Sequence, residues 1–131
     1  MTGSSSGSRR WEIAMAVFCL ASLLFLVARD LLLPEVRDVE VWLGHEVHGP
    51  WARWIAPLHW ALFAAGAWAF ATGRPWIWHA SAVYACYVAL SHLVWNLTSP
   101  SGGGWLPGLW QLALFAAIGG LLEWIGRRSR D

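Results

Sequence analysis

The chain has 131 residues, eight carboxylates, nine basic residues that are all arginine, and a formal net charge of +1. At 57% hydrophobic and a mean hydropathy of +0.46 it is too apolar for a soluble domain of this length. The lack of a basic patch excludes a nucleic-acid-binding module. The lack of lysine excludes a retinal Schiff base or other lysine imine chemistry.

Residues 1–10 are polar and rich in Gly and Ser, which predicts a disordered tail. Residues 11–33 are apolar. The run is too long for a signal-peptide core, and no small-x-small cleavage site precedes Arg29, so a retained first helix is expected. Pro34 ends it. Residues 35–47 carry Val36, Val39, Trp42 and Leu43 at helical spacing with charges between, which predicts a short amphipathic surface helix. Gly49-Pro50 opens a second apolar run, 51–72. Gly73-Arg74-Pro75 is a tight turn into the third, 75–97. The linker 99–104 leads to the fourth, 105–125, and 127–131 form a short basic tail. A hydrocarbon core of about 30 Å is crossed by about 20 helical residues, and all four runs are long enough. The expected fold is all-α: an integral membrane four-helix bundle, one domain over 11–126, with a surface helix between helices 1 and 2.

Orientation follows from arginine placement. Arg9, Arg10, Arg74, Arg127, Arg128 and Arg130 share one side. Arg29, Arg37 and Arg53 on the other are outnumbered by Asp30, Glu35, Asp38, Glu40 and Glu46. Both termini are therefore expected in the cytoplasm, across the inner membrane if the source is bacterial. Most of the 12 tryptophans fall at helix ends, as interfacial anchors do, while Trp60, Trp68, Trp95 and Trp110 lie deeper. Helix packing is expected through Ala61, Ala65, Gly66 and Ala69, and through Ala113/Ala117 and Ala116/Gly120. Cys19 and Cys86 lie inside helices with no CxxC or metal spacing, as buried thiols do. Asn96-Leu97-Thr98 matches a glycosylation sequon but falls at a membrane edge.

Ionisable groups inside hydrocarbon are costly and tend to be paired or used. Asp30 ends helix 1. His59 lies about 12 Å along helix 2, and His92 about 9 Å in from the outer end of helix 3, with Asn96 one turn further out. His45, Glu46 and His48 sit in the outer loop. Helix 3 also aligns Ser81, Tyr84, Ser91 and Trp95, with Tyr87 beside them. The expected ligand-binding set is Asp30, Glu46, His59, Tyr84, Tyr87, Ser91, His92, Trp95 and Asn96. Its alternative use is plain interhelical hydrogen bonding. His59 and His92 are the candidate acid or base, because imidazole titrates near neutrality.

Three uses compete. The first is a pocket open to the membrane that binds, moves or isomerises a hydrophobic lipid-like small molecule, with no cofactor. The second is an accessory subunit or assembly factor of a larger membrane complex, or a homo-oligomer. The third is metal or haem b binding: His59 and His92 are spaced as two axial ligands on adjacent helices, and His45 with His48 would form a surface metal site.

The layout resembles the emopamil-binding-protein and sigma-type receptor (EXPERA) superfamily. The residues that carry the likeness are Asp30-Leu31-Leu32-Leu33-Pro34, then Trp42, Glu46 and Pro50 in order, then Trp51 followed by His59. The resemblance covers residues 11–97. It implies four core helices with cytoplasmic termini and a pocket for sterol-like or cationic amphiphilic molecules, in some members with double-bond isomerase activity. The chain departs from it where relatives carry a histidine in helix 1, offering Cys19 and Ser22, and where a second acidic residue is replaced by His59.

Overall fold

The computed structural model describes residues 6–33 and 38–129. Four helices dominate: α1 (Ser6–Leu32), α2 (Pro50–Ala71), α3 (Trp76–Thr98) and α4 (Trp105–Arg128). Each is long and apolar enough to cross a membrane. Residues 1–5 lie outside the described part, but residues 6–10 of the expected disordered tail are helical. Arg9 explains the early start: its guanidinium donates to the Ala71 carbonyl at 3.2 Å and pairs with Glu12 at 3.3 Å, fastening the first turn of α1 to the end of α2.

The expected surface helix is not formed by residues 39–48. They make an antiparallel hairpin of β1 (Val39–Trp42) and β2 (His45–His48), registered Val39↔His48 to Trp42↔His45. The remaining positions of that expectation, 35–37, lie outside the described residues. The same apolar residues also fit a period of two, and Val39, Val41 and Val47 are β-branched, which favours strand. Leu43 and Gly44 decide the matter. Both have positive φ (51° and 78°), which matches the right-handed twist of a two-residue hairpin and stops a helix. The Gly49 amide extends the ladder by donating to the Asp38 carbonyl at 2.9 Å. Arg53 donates to both Asp38 carboxylate oxygens through Nε and Nη2, tying the hairpin's base to α2.

The helices associate as two antiparallel pairs, α1 with α2 and α3 with α4, while the consecutive helices α2 and α3 pack sparsely. Near the α2–α3 turn a buried cluster joins the pairs: Cys19, Ala69, Phe70, Ile77, Trp78 and Ile125. Phe70 and Trp78 meet edge to face at 5.0 Å. The close approaches differ in part from those expected. Ala69 and Gly66 are buried, Gly66 against the Cys19 sulfur, but Ala61 and Ala65 are exposed. In α4, Ala113, Ala116, Ala117 and Gly120 face outward. The contact stripe there is Gly108, Gly119 and Gly126, where added Cβ atoms would meet Leu93, the Ala82 carbonyl and Trp78. Steps of 11 and 7 residues return close to the same helical face, so these three glycines align and the alanines do not. Trp11, Trp51, Trp54, Trp76, Trp105 and Trp124 are exposed at helix ends, as expected, but Trp78 is buried and Trp68 and Trp110 lie on the outer surface.

Candidate functional site: a cavity between the helix pairs

Because α2 and α3 diverge from their shared turn, a cavity of about 940 Å³ separates the pairs. All four helices and the hairpin line it. α1 gives Met15, Phe18 and Cys19; α2 gives His59 and Phe63; α4 gives Gln111, Phe115, Ile118 and Leu122; β1 gives Val41. α3 contributes the longest wall, from Ser81 to Trp95, roughly 21 Å of helix. The polar side chains His59, Tyr87, Ser91, His92 and Gln111 gather toward the hairpin end, and the deep end is mostly apolar.

The hairpin acts as the roof. Alternation puts Glu40 and Trp42 on one face and Val41 and Glu46 on the other. The first face meets α2: Trp42 stacks on His59 with ring centroids 4.3 Å apart, and the Glu40 carboxylate meets His59 Nδ1 at 2.9 Å. The second face meets α3: Glu46 accepts from Trp95 Nε1 and from the Ser99 hydroxyl, both at 3.2 Å. At the tip the Leu43 amide donates to the Tyr87 hydroxyl at 3.1 Å. Gly44 lies against the Ser91 carbonyl, where a Cβ would come within 2.5 Å.

Beside the roof lies a buried charge cluster. Arg29 donates to Asp30 at 2.6 Å and to Glu40 at 2.7 Å, and Trp60 Nε1 donates to the other Asp30 oxygen at 2.9 Å. Only 5% of the Asp30 side chain and 3% of the Glu40 side chain are exposed, so this pairing is what makes their burial tolerable.

The two imidazoles are held alike. His59 Nδ1 faces a carboxylate, and His92 Nδ1 donates to the Val88 carbonyl at 2.9 Å. Each ring therefore keeps its proton on Nδ1 and leaves Nε2 without a partner among the described residues. In the neutral ring Nε2 is a hydrogen-bond acceptor. The carboxylate behind His59 fixes the ring's orientation. His92 packs on Phe115, centroids 4.7 Å apart, with no carboxylate on its ring.

Of the expected site residues, His59, Tyr84, Tyr87, Ser91, His92 and Trp95 line the cavity. Asp30, Glu46 and Asn96 do not. Asp30 is in the charge cluster and Glu46 braces the roof. Asn96 is buried, donates to Gln111 at 2.9 Å and to the His92 carbonyl at 2.8 Å, and accepts from the Gly103 amide, pinning the 99–104 linker. Ser22, named for the family's helix 1 position, lines only a shallow groove with Phe18 and Phe25. His45 and His48, three apart on a strand, point to opposite faces and do not converge as a metal pair. Among the described residues no cluster of three or more His, Cys, Asp or Glu has metal-site geometry. Sequence reasoning missed Glu40 as the partner of His59, Trp42 as its stacking partner, and the α1 and α4 walls. The alternation of Glu40 and Trp42 beside Leu43-Gly44 was the signal available for the first two.

Searches against family models, curated proteins and solved structures returned no match.

Proposed function

We propose that this is a multi-pass membrane protein, both termini cytoplasmic, that holds a hydrophobic lipid- or sterol-like small molecule between its helix pairs. The observation that carries the reading is the cavity: about 940 Å³, mostly apolar, lined by His59 from α2 and His92 from α3. Ligand sites have this character, a largely apolar concavity with few polar groups to fix orientation. The outer surface supports the membrane assignment. Leu24, Phe25, Leu62, Val83, Leu90 and Leu121 are exposed in mid-helix. So does the charge distribution. At the hairpin end the described arginines, Arg29 and Arg53, are outnumbered by Asp30, Asp38, Glu40 and Glu46, whereas the other end carries Arg9, Arg10, Arg74, Arg127 and Arg128 against Glu12 and Glu123. The likeness to the EXPERA superfamily points the same way. If the site is catalytic, His59 backed by Glu40 is its acid or base.

Gentle purification followed by native mass spectrometry tests this. A bound lipid-like mass is expected, and His59→Ala should weaken its retention. A protein consistently empty in a native lipid environment would refute the reading.

One observation favours a second reading. Metal-ligating imidazoles commonly hold their other nitrogen against a carboxylate or a carbonyl, as His59 and His92 both do. A bis-histidine haem b would give a Soret band lost in His92→Ala; a colourless preparation removes this alternative.

A further inference from the structure

We infer that the molecule in the cavity presents a neutral hydroxyl group to the hairpin end, rather than an ammonium or a carboxylate. The inference rests on the pocket reading above and narrows its ligand class.

No carboxylate among the described residues lines the cavity, so an ammonium would have only the faces of aromatic rings there to offset its lost hydration. Each oxygen of the two buried carboxylates nearest it already has a partner. Asp30 accepts from Arg29 and from Trp60. Glu40 accepts from Arg29 on one oxygen and meets His59 on the other. Glu46, on the hairpin face that meets α3, is taken by Trp95, Ser99 and His48. An ammonium would have to break one of these contacts or be desolvated unpaired, and either is expensive.

An anion meets the converse difficulty. Arg29 and Arg53, the described arginines at this end, are both spent on carboxylates and neither lines the cavity. An ionised carboxylate would also be brought up to the negative charges of Asp30 and Glu40.

The polar groups left over call for something neutral. His92 Nε2, and His59 Nε2 in its neutral ring, are acceptors without donors. The Ser91 hydroxyl, adjacent to His92 on the same helix and lining the same cavity, is buried with no partner of its own. An alcohol both donates and accepts, so one hydroxyl can satisfy an imidazole nitrogen and a serine together. If His59 takes up a proton, the same hydroxyl accepts from it instead. An ether or ketone can only accept and leaves His92 Nε2 unsatisfied. The cavity's length, roughly 21 Å along α3, suits an extended apolar body with the hydroxyl at one end.

The test is competition in lipid nanodiscs carrying the full chain. A fatty alcohol bearing a diazirine serves as photo-crosslinking probe. Hexadecanol, its methyl ether, hexadecyltrimethylammonium and hexadecanoate serve as competitors. Crosslinks are expected at cavity residues such as Phe63 and Phe115. Hexadecanol should compete about tenfold better than the other three, since one unmade hydrogen bond to a buried group costs about that factor. His92→Phe and, separately, Ser91→Ala should shrink the advantage over the ether to threefold or less while crosslinking persists. Helix content and thermal unfolding of each variant establish that it is folded. Equal competition by all four molecules, or the best competition by the ammonium or the carboxylate, overturns the hydroxyl inference and leaves the apolar pocket standing. Absence of crosslinks from the cavity overturns both.

Discussion

The two ends of this bundle are closed by different means. At the α2–α3 turn, apolar side chains from all four helices interlock around Phe70 and Trp78, and glycines bring backbones close. At the hairpin end, α2 and α3 have separated, and a β-hairpin fills the gap through hydrogen bonds and ion pairs: Glu40 to Arg29 and His59, Glu46 to Trp95, Asp38 to Arg53. Packing holds surfaces that are already adjacent, and directional polar contacts hold surfaces that stand apart. The cavity is what remains between these two closures, and its polar groups come from the end closed by polar contacts.

The contrast can be broken at either end. Glu40→Ala should do most damage, because it removes the shared partner of Arg29 and His59, leaving Arg29 to Asp30 alone and the His59 Nδ1 proton without an acceptor. Loss of one partner of a buried pair costs about 3–5 kcal/mol. Thermal unfolding in lipid would register it, and Glu40→Gln should recover part of the loss. Phe70→Ala attacks the opposite closure and should cost about 3 kcal/mol, the low end for such a truncation, because lipid can solvate the face it opens. Unlike Glu40→Ala, it should leave the roof intact, so trypsin cleavage at Arg53 should stay slow. Asn96→Ala removes a buried brace between α3, α4 and the 99–104 linker, and should cost about 1 kcal/mol. His79→Ala removes only an exposed contact with Glu123 near the turn and should not change unfolding measurably. A large effect there would mean that the turn end also depends on polar contacts.

How much of this was readable beforehand varies along the chain. The four helices were legible because length and hydropathy are local properties, and their ends are marked by Pro34, Gly49-Pro50, Gly73-Arg74-Pro75 and the 99–104 linker. Six of the nine expected site residues line one cavity, chiefly because five lie on α3, where helical period alone aligns them. The rest was not legible. Residues 39–48 fit periods of both two and 3.6, and only the positive-φ Leu43-Gly44 turn separates them. The α4 contact face was misjudged because alanine repeats are common in apolar helices, whereas three glycines 11 and 7 apart gain meaning only from what they touch.

Local sequence dictates four apolar helices, their connections, and the asymmetry of arginine between the two sides, since each depends on residues near in the chain and on their transfer out of water. Tertiary structure alone decided that the helices pair two by two, that a hairpin roofs the gap, and that Glu40 rather than Asp30 or Glu46 stands behind His59. Those outcomes turn on partners 11 to 53 residues apart. No local pattern encodes such a pairing, because a buried charge shows which partner it has only once the chain has closed around it.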